Sequence, residues 1–394
     1  MSNDTVVIAA ARRTPIGAFQ GALAPVSATD LGATASAAAL ADAAIEPGDV
    51  SEVITGCGLP AGLGQAPARQ AALAAGIPNG VGCTTINKVC GSGMKATMLG
   101  TDLIRAGSAD IVLAGGMESM SNSPYLMPKA RSGYRMGHQQ VLDHMFFDGL
   151  QNPYDNNMMG FFAEATADEY AFSREAQDDF SIASVERALA ASDSGAFAAE
   201  IAAVVVKTRR GETRVERDEE PDRCDFDKIR SMRPAFRRDG GTVTAASSSS
   251  ISDGAASLVL MSGSNASSRG IEPLARIVGH SGFAHAPEWF TTAPVYAIRA
   301  LHERLGWSPD DVDLYEINEA FAIVTMAAMR DVGLDHDKVN VNGGACALGH
   351  PIGATGARII TTLVHALRAR GLKRGIASLC IGGGEATAIA VEAL

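Results

Sequence analysis

Short apolar runs alternate with longer segments in which apolar residues recur at helical spacing. The short runs predict buried strands, and the longer segments predict amphipathic helices. Strands are predicted at 6–11, 111–114, 201–207, 255–261 and 376–381. Helices are predicted at 94–105, 173–191, 357–370 and from residue 320 onward. This alternation is typical of an α/β fold.

The same order of elements occurs twice. A glycine-rich corner at Cys90 precedes a predicted helix, a strand and a turn that contains Gly115 and Gly116. In the second half, a glycine-rich corner at His350 precedes a helix, a strand that ends at Cys380, and another glycine turn. We therefore predict two related α/β halves whose equivalent corners meet. Cys90, His350 and Cys380 would then surround one pocket.

The region 121–244 differs from both halves, because it is rich in Met, Arg, Tyr, Asn and acidic residues. We predict that 1–120 and about 245–270 form the first half, and that about 271–394 form the second. The intervening 121–244 would be an inserted loop domain. A serine-rich loop at 242–252 leads from this region back into the first half.

Composition narrows the function classes. A chain of 394 residues exceeds one ordinary core, so about two or three domains are expected. The net charge of −11 argues against a nucleic-acid partner. The segment 207–238 is locally basic, which predicts either an anion-binding surface or a solvated charged loop.

Cysteine usage and apolar spans point to a cellular compartment. The six cysteines form no C-x-x-C pair, so a structural zinc site is not expected and no metal is predicted. No apolar span of 18 residues predicts a membrane helix. Residues 1–5 carry no signal-peptide pattern. We therefore predict a cytoplasmic enzyme with free thiols and no membrane partner.

Cys90 is the first candidate for chemistry. It is followed by Gly91, Ser92 and Gly93 at the start of a predicted helix. Unpaired N–H groups and the helix dipole at that position predict a lowered thiol pKa and a reactive thiolate. The alternative is a small buried residue that packs the helix against the sheet. His350 lies in a glycine-dense turn, where it can accept a proton from a neighbouring thiol.

Five motifs, taken together, resemble those of the thiolase family. They lie at 89–96, 115–121, 318–322, 349–356 and 380–384, in the order that the family has. The resemblance covers nearly the whole chain. It implies the thiolase fold, in which two βαβαβαββ halves form a five-layered α/β/α/β/α body with an inserted loop domain. It also implies acyl transfer from acetyl-CoA, with a reversible Claisen condensation to acetoacetyl-CoA and free coenzyme A.

The resemblance assigns roles to five residues. Cys90 would be the nucleophile, His350 its base, and Cys380 the base that takes a proton from carbon. Asn318 would hold a water beside the enolate oxygen, and the N–H groups of Cys90 and Gly382 would bind the oxyanion. Taken without the family, Asn318 has another interpretation, since it could be the N-cap of the following helix.

The resemblance also implies coenzyme A contacts and a homotetramer, with part of 121–140 building the tetramer. The predicted coenzyme A contacts are Ala245, Ser249, Arg223, Lys228, Met159 and Phe321. Two segments depart from biosynthetic relatives: this chain has Met158 where they usually have histidine, and it has Phe290 in their Met-Gly-x-Gly-Pro segment.

These departures lie near the acyl pocket. The flexible Met158 and Met159 can repack around a larger guest, whereas the stiffer Phe290 can close the pocket. We expect short acyl chains, because Phe290 narrows the wall and no feature of the sequence indicates a long apolar tunnel. The alternatives are a degradative 3-ketoacyl-CoA thiolase for longer chains, a decarboxylating ketoacyl synthase and a non-catalytic lipid-binding relative. A synthase needs a second catalytic histidine where this chain has Asn318.

Overall fold

The computed structural model describes residues 5–209 and 211–394. Its strands are β1 Val6–Arg13, β2 Gly17–Ala18, β3 Glu52–Gly56, β4 Gly82–Ile86, β5 Ile111–Ser119, β6 Tyr125–Leu126, β7 Leu142–Asp143, β8 Val204–Thr208, β9 Gly211–Val215, β10 Ser252–Ser262, β11 Ala275–Ala284, β12 Leu314–Ile317, β13 Arg374–Ile381 and β14 Glu385–Ala393. Its helices are α1 Ala28–Asp42, α2 Pro67–Ala74, α3 Ser92–Arg105, α4 Met159–Glu169, α5 Arg174–Asp193, α6 Phe226–Ile229, α7 Gly263–Arg269, α8 Ala293–Leu305, α9 Ala322–Val332, α10 Ala345–Leu348 and α11 Ile352–Arg370.

The main sheet has ten strands and falls into two groups. Its order is β12-β13-β14-β11-β1-β10-β5-β3-β4, with β2 paired to β10. Among the described residues, the strands of the two groups pair where Val7 and Ile8 of β1 lie opposite Arg276 and Ala275 of β11. Each group mixes parallel and antiparallel pairs: β3 runs parallel to β4 and β5, and β12 runs parallel to β13. The repeat that the sequence predicts is therefore present as two similar strand sets.

Helices cover both faces of each strand group. α3 and α11 pack on each other and on strands of both groups, so they form a shared central layer. α1 and α2 cover the outer face of the first group, and α8 covers that of the second. The layers run helix, sheet, helix, sheet, helix, as the thiolase resemblance implies. Separate apolar cores fill the central layer and the two outer ones.

Most predicted elements are present, but several begin elsewhere than the pattern indicates. α3 begins at Ser92, β10 at Ser252 and β13 at Arg374, each two or three residues before the predicted start. α11 begins at Ile352, five residues before the predicted start, because Pro351 is its N-cap and the glycines that follow fit the tightly packed first turns. α9 begins at Ala322 rather than residue 320. β8 begins at Val204 rather than residue 201.

The inserted region leaves the sheet after β5 and returns at β10. β10 pairs with β1 on one side and β5 on the other, so the chain rejoins the first strand group there. Between them lie two small hairpins, β6–β7 and β8–β9, and a π-helical turn at Met145–Leu150. Ser173 caps α5, because its side chain accepts a hydrogen bond from the Ala176 N–H, as the sequence pattern predicts.

In the described part of the chain, no helix is both long and apolar enough to cross a bilayer. The signal-peptide prediction falls largely on residues 1–4, and the basic segment includes Arg210. These residues lie outside the described ranges.

Candidate active site

Cys90 lies in a tight turn that ends where α3 begins. Val89 has φ of +48°, a left-handed conformation that a β-branched residue rarely adopts. Ser92 holds this turn, because its hydroxyl accepts from the Lys88 N–H at 2.8 Å and donates to the Val89 carbonyl at 2.7 Å. Gly91 leaves room for Ile381, since a Cβ at this position would lie 2.4 Å from Cδ1 of Ile381 unless that side chain moved. This turn, in which Val89 is strained, therefore places Cys90 beside the end of β13.

The electrostatics of Cys90 differ from the sequence prediction. Burial raises the pKa of its thiol to about 11. The backbone N–H groups of Gly382 and of Cys90 itself oppose this shift, and the charge of Glu118 adds to it. The predicted lowering of the pKa is therefore wrong, because lost hydration outweighs the partial charge of a helix N-terminus. The thiol is neutral at rest and needs a base when it attacks.

His350 meets the requirements for that base. Burial, reinforced by the charge of Arg358, lowers the pKa of His350 to about 3, so its imidazole is neutral. Its Nδ1 lies 2.6 Å from Oγ1 of Thr355, and that hydroxyl donates to the Pro351 carbonyl at 2.9 Å. Thr355 therefore accepts from Nδ1–H, which fixes the tautomer. Nε2 is buried without a hydrogen-bond partner and keeps its lone pair free.

Cys380 and Gly382 come from the end of β13. Cys380 is fully buried, and burial raises the pKa of its thiol well above the ordinary value, with the neighbouring charge of Cys90 adding to the effect. The Gly382 N–H is directed at the Cys90 sulfur. Gly383 and Gly384 follow with φ of +100° and +89°, conformations that favour glycine. The glycine turn therefore brings a backbone donor against the nucleophile.

Asn318 is not a helix cap. The N-cap of α9 is Phe321, and no side chain caps that helix, so the alternative interpretation is wrong. The Asn318 backbone N–H donates to the Ser378 carbonyl at 3.0 Å, which fixes the residue beside β13. Both polar atoms of its side-chain amide are buried without a hydrogen-bond partner in the protein. Buried amides normally find partners, so a water or ligand atom is expected there.

The predicted catalytic side chains meet at one cavity of about 250 Å³. Cys90, His350, Cys380 and Gly382 all line it. Most of the remaining wall is apolar or aromatic, and it consists of Met120, Phe146, Gly149, Leu150, Met158, Met159, Gly160, Phe236, Ser248, Ser249, Ser250, Ile251, Phe290, Ala320, Phe321 and Ile352. Asn318 does not line the cavity, although it lies two residues from Ala320, which does.

The six predicted coenzyme A contacts border two adjoining cavities. Ser249, Met159 and Phe321 line the first. Ala245, Arg223 and Lys228 line a second cavity of about 400 Å³. Ser248 and Ser250 belong to both walls, so the serine-rich loop lies between the two spaces. Their role in binding coenzyme A stays a prediction.

The serine-rich loop is fixed by backbone contacts to both catalytic segments. The Ser249 N–H donates to the Ala320 carbonyl at 3.0 Å, and the His350 N–H donates to the Ser250 carbonyl at 3.1 Å. The loop therefore holds the His350 turn beside the segment that follows Asn318.

Much of the basic segment is neutralised by nearby acids. Lys207, Arg214, Arg217, Arg223, Lys228, Arg230 and Arg237 all form ion pairs with Asp or Glu. Most of these pairs are exposed, and such pairs are weak. Of these seven residues, only Arg223 and Lys228 also line the second cavity. The anion-binding role of the segment stays a prediction.

Sequence reasoning missed Glu118. This buried carboxylate on β5 accepts hydrogen bonds from the N–H groups of Gly58, Leu59 and Gly353 at 2.8–3.1 Å. Burial raises the pKa of Glu118 to about 7, although the three N–H donors act to lower it. It joins the first half to the start of α11, beside His350. The motif at 115–121 contains Glu118, but its hydrogen-bond partners are distant in sequence, so their contact could not be predicted from the motif.

Two other histidines lie deeper than their sequence context indicates. His144 and His302 are buried, although a histidine without a paired ligand spacing is usually a surface residue. His302 contacts the Tyr315 hydroxyl at 3.0 Å, and His144 contacts Asp148 at 2.6 Å. Across residues 5–209 and 211–394, no group of three or more His, Cys, Asp or Glu side chains is arranged to hold a metal ion.

The fold and this grouping of side chains are those of enzymes that transfer acyl groups through a cysteine thioester. The family model described as the thiolase N-terminal domain matches residues 6–264, and that of the thiolase C-terminal domain matches residues 271–393. The chain belongs to the thiolase family.

Similar proteins extend over the whole chain. Acetyl-CoA acetyltransferase 2 of Arabidopsis thaliana is 50% identical over 99% of this chain and 97% of its own length. Acetyl-CoA acetyltransferase of Schizosaccharomyces pombe is 47% identical over 100% of both. The crystal structure of Acat5 thiolase from Ascaris suum in complex with coenzyme A matches with a TM-score of 0.94 and 41% identity, over 99% of this chain and 100% of that one. The acetyl-CoA acetyltransferase of Bacillus anthracis matches with a TM-score of 0.97 and 44% identity, over 99% of each chain.

Proposed function

We propose that this protein is an acetyl-CoA C-acetyltransferase, which condenses two acetyl-CoA to acetoacetyl-CoA and coenzyme A and catalyses the reverse thiolysis. The observation that carries the proposal is the pairing of a neutral, partly buried Cys90 thiol with the free Nε2 of a neutral His350 at one apolar cavity. Full-length relatives named acetyl-CoA acetyltransferase support it. The substrates are coenzyme A thioesters.

In the first step, Cys90 attacks the thioester carbonyl while Nε2 of His350 takes the thiol proton. Neither group carries charge at rest, so the proton moves only as the S–C bond forms. The developing oxyanion is held by the N–H groups of Cys90 and Gly382. His350 then gives the proton to the sulfur of the leaving coenzyme A, and an acetyl thioester remains on Cys90.

In the second step, His350 takes the thiol proton of Cys380, and the resulting Cys380 thiolate takes a proton from the methyl group of another acetyl-CoA. The raised pKa of Cys380 means that its thiolate is a strong base, which suits a weak carbon acid. The enolate oxygen is held by His350 and by a water on the unpartnered amide of Asn318. The enolate carbon attacks the acetyl group on Cys90. The Cys90 sulfur leaves as a thiolate and takes the proton that His350 holds, so Cys90, Cys380 and His350 all return to their neutral forms.

The cavity favours short acyl chains. Its volume of about 250 Å³ lies below the ~300–1,000 Å³ typical of pockets for drug-sized ligands. Phe290 and Phe321 meet edge to face in its wall, with ring centroids 6.4 Å apart. A wall of stiff rings leaves less room for a long chain than flexible aliphatic side chains do. We therefore prefer the short-chain enzyme to the degradative long-chain thiolase.

We further propose the organisation that the family implies. The pantetheine arm would enter past Ser249, Met159 and Phe321, and the charged end of coenzyme A would lie near Arg223 and Lys228. Residues 1–120 with about 245–270, 121–244 and 271–394 would form the three structural units. The protein would be a homotetramer in the cytoplasm, where a reducing environment suits its six free cysteines.

Two variants test the roles of the two cysteines. The Cys380→Ser variant should still exchange acetyl groups between coenzyme A and Cys90, while condensation falls by several orders of magnitude. The Cys90→Ala variant should lose both activities. Iodoacetamide should alkylate Cys90 in the wild type, acetyl-CoA should protect it, and a His350→Asn variant should react more slowly because the base is gone.

A substrate panel from acetoacetyl-CoA to a C10 3-ketoacyl-CoA completes the test. The best substrate should be acetoacetyl-CoA or another short linear chain. Near-normal condensation by Cys380→Ser would require another carbon base, and a wild-type preference for C8 or C10 would favour the degradative enzyme instead.

A further inference from the structure

The oxyanion donor Gly382 lies in a turn that has little side-chain support. This turn, 382–384, consists of glycine alone and joins β13 to β14. Gly383 and Gly384 have positive φ, and glycine is the most permissive residue for the backbone. A catalytic donor, by contrast, must be held within about 0.5 Å of its productive position. Some contact outside the turn has to restrict it.

An ion pair joins this turn to the nucleophile turn across the two halves. The Lys88 ammonium contacts the carboxylate of Glu385, 297 positions away in sequence. Lys88 lies two residues before Cys90, and Glu385 is the first residue after the glycines. Within the described chain, this is the only ion pair that connects the two turns. The pair therefore links the segment that bears the sulfur to the segment that bears its oxyanion donor.

Other contacts show that Lys88 and Glu385 can restrict the positions of the two turns. The Lys88 N–H donates to Oγ of Ser92, so its backbone is fixed to the start of α3. Glu385 pairs with Ile381 in the β13–β14 ladder and with Ala284 of β11. Neither Lys88 nor Glu385 lines the reactive cavity. Their effect on catalysis must therefore act through the position of neighbouring groups.

We propose that Lys88 and Glu385 are positioning residues, whose ion pair sets the Gly382 N–H relative to the Cys90 sulfur and thereby fixes the oxyanion site. This inference rests on the proposed function, in which Cys90 becomes acetylated. The side chains are 25% and 40% exposed, so the pair contributes little to the stability of the fold. Variants should therefore fold, and a catalytic loss can be separated from a structural one.

The test measures single-turnover acetylation of Cys90 by acetyl-CoA in the full-length protein. Complete loss of an oxyanion donor typically costs 10²–10³ in rate. A displaced donor costs less, so we expect Lys88→Met and Glu385→Gln each to slow acetylation roughly tenfold. KM for acetyl-CoA and the thermal midpoint of unfolding should stay near the wild-type values.

The matched control is Arg269→Met, because Arg269 and Asp49 form an ion pair of similar exposure, 36% and 40%, within the first half alone. This variant should acetylate at the wild-type rate. The double variant Lys88→Met/Glu385→Gln should be no slower than either single variant, because both remove one interaction. The reversed pair Lys88→Glu/Glu385→Lys should recover most of the lost rate.

Three results would overturn the inference: acetylation of Lys88→Met within about twofold of the control, additive losses in the double variant, or a higher KM with unchanged maximal rate. The last result would make Lys88 a contact for coenzyme A. If the proposed function itself were wrong, mass spectrometry would detect no acetyl-Cys90 in the wild-type protein after incubation with acetyl-CoA. That result is distinct from the three above.

Discussion

Replacing Thr355 with valine tests whether the tautomer of His350 is set by one hydroxyl. Valine keeps the branched shape of this fully buried side chain and removes the acceptor that lies 2.6 Å from Nδ1 of His350. The Nδ1–H of the buried imidazole then has no hydrogen-bond acceptor. The free-energy cost of this unpaired donor grows as His350 becomes an imidazolium in the transition state, because both ring nitrogens then carry protons.

The magnitude follows from the cost of an unpaired buried donor. Such a group costs roughly 1–3 kcal/mol, and each ~1.4 kcal/mol is tenfold. Acetylation of Cys90 by acetyl-CoA should therefore slow roughly five- to 150-fold. The assay is exchange of labelled coenzyme A into acetyl-CoA, together with the thermal midpoint of unfolding. KM should change little, because Thr355 does not line the cavity.

Thr355→Ser is the matched control, since serine retains the hydroxyl and should keep most of the rate. Equal rates for the valine and serine variants would refute the reasoning, because the hydroxyl would then have no part in orienting His350. A loss in the serine variant alone would show that the methyl packing of Thr355 matters instead.

Three further predictions concern the same cavity. The pKa of His350 is lowered to about 3 and that of Cys90 raised to about 11, so neither group should titrate between about pH 5 and 9. Any change in the rate of Cys90 acetylation near pH 7 should come from Glu118, whose pKa is about 7; a change near pH 6.5 that persists in a Glu118→Gln variant in stopped-flow traces would contradict this. Phe290→Ala should raise kcat/KM for C6 and longer 3-ketoacyl-CoA about fourfold for each added methylene; an unchanged chain-length profile would remove Phe290 from the acyl wall. Asn318→Ala should retain acetyl exchange and lose roughly 10²-fold in condensation; equal losses in both activities would place Asn318 in the first step as well.

Local pattern was sufficient for the elements that carry the chemistry. The apolar runs predicted β1, β5, β10 and β13, because a strand buried on both faces needs a continuous apolar segment. Glycines around Cys90 and His350 predicted tight corners at the start of helices, and the internal repeat predicted that these corners meet. The cavity that Cys90, His350 and Cys380 line agrees with that expectation.

What the sequence could not determine depends on surroundings built from distant segments. The pKa of Cys90 rises because burial in the folded protein desolvates its sulfur, whereas the local helix start alone predicts a lower value. Glu118 acquires its role from Gly58 and Gly353, and Lys88 meets Glu385 from the other end of the chain. Burial and charge contacts depend on distance in space, so only the tertiary structure decides them.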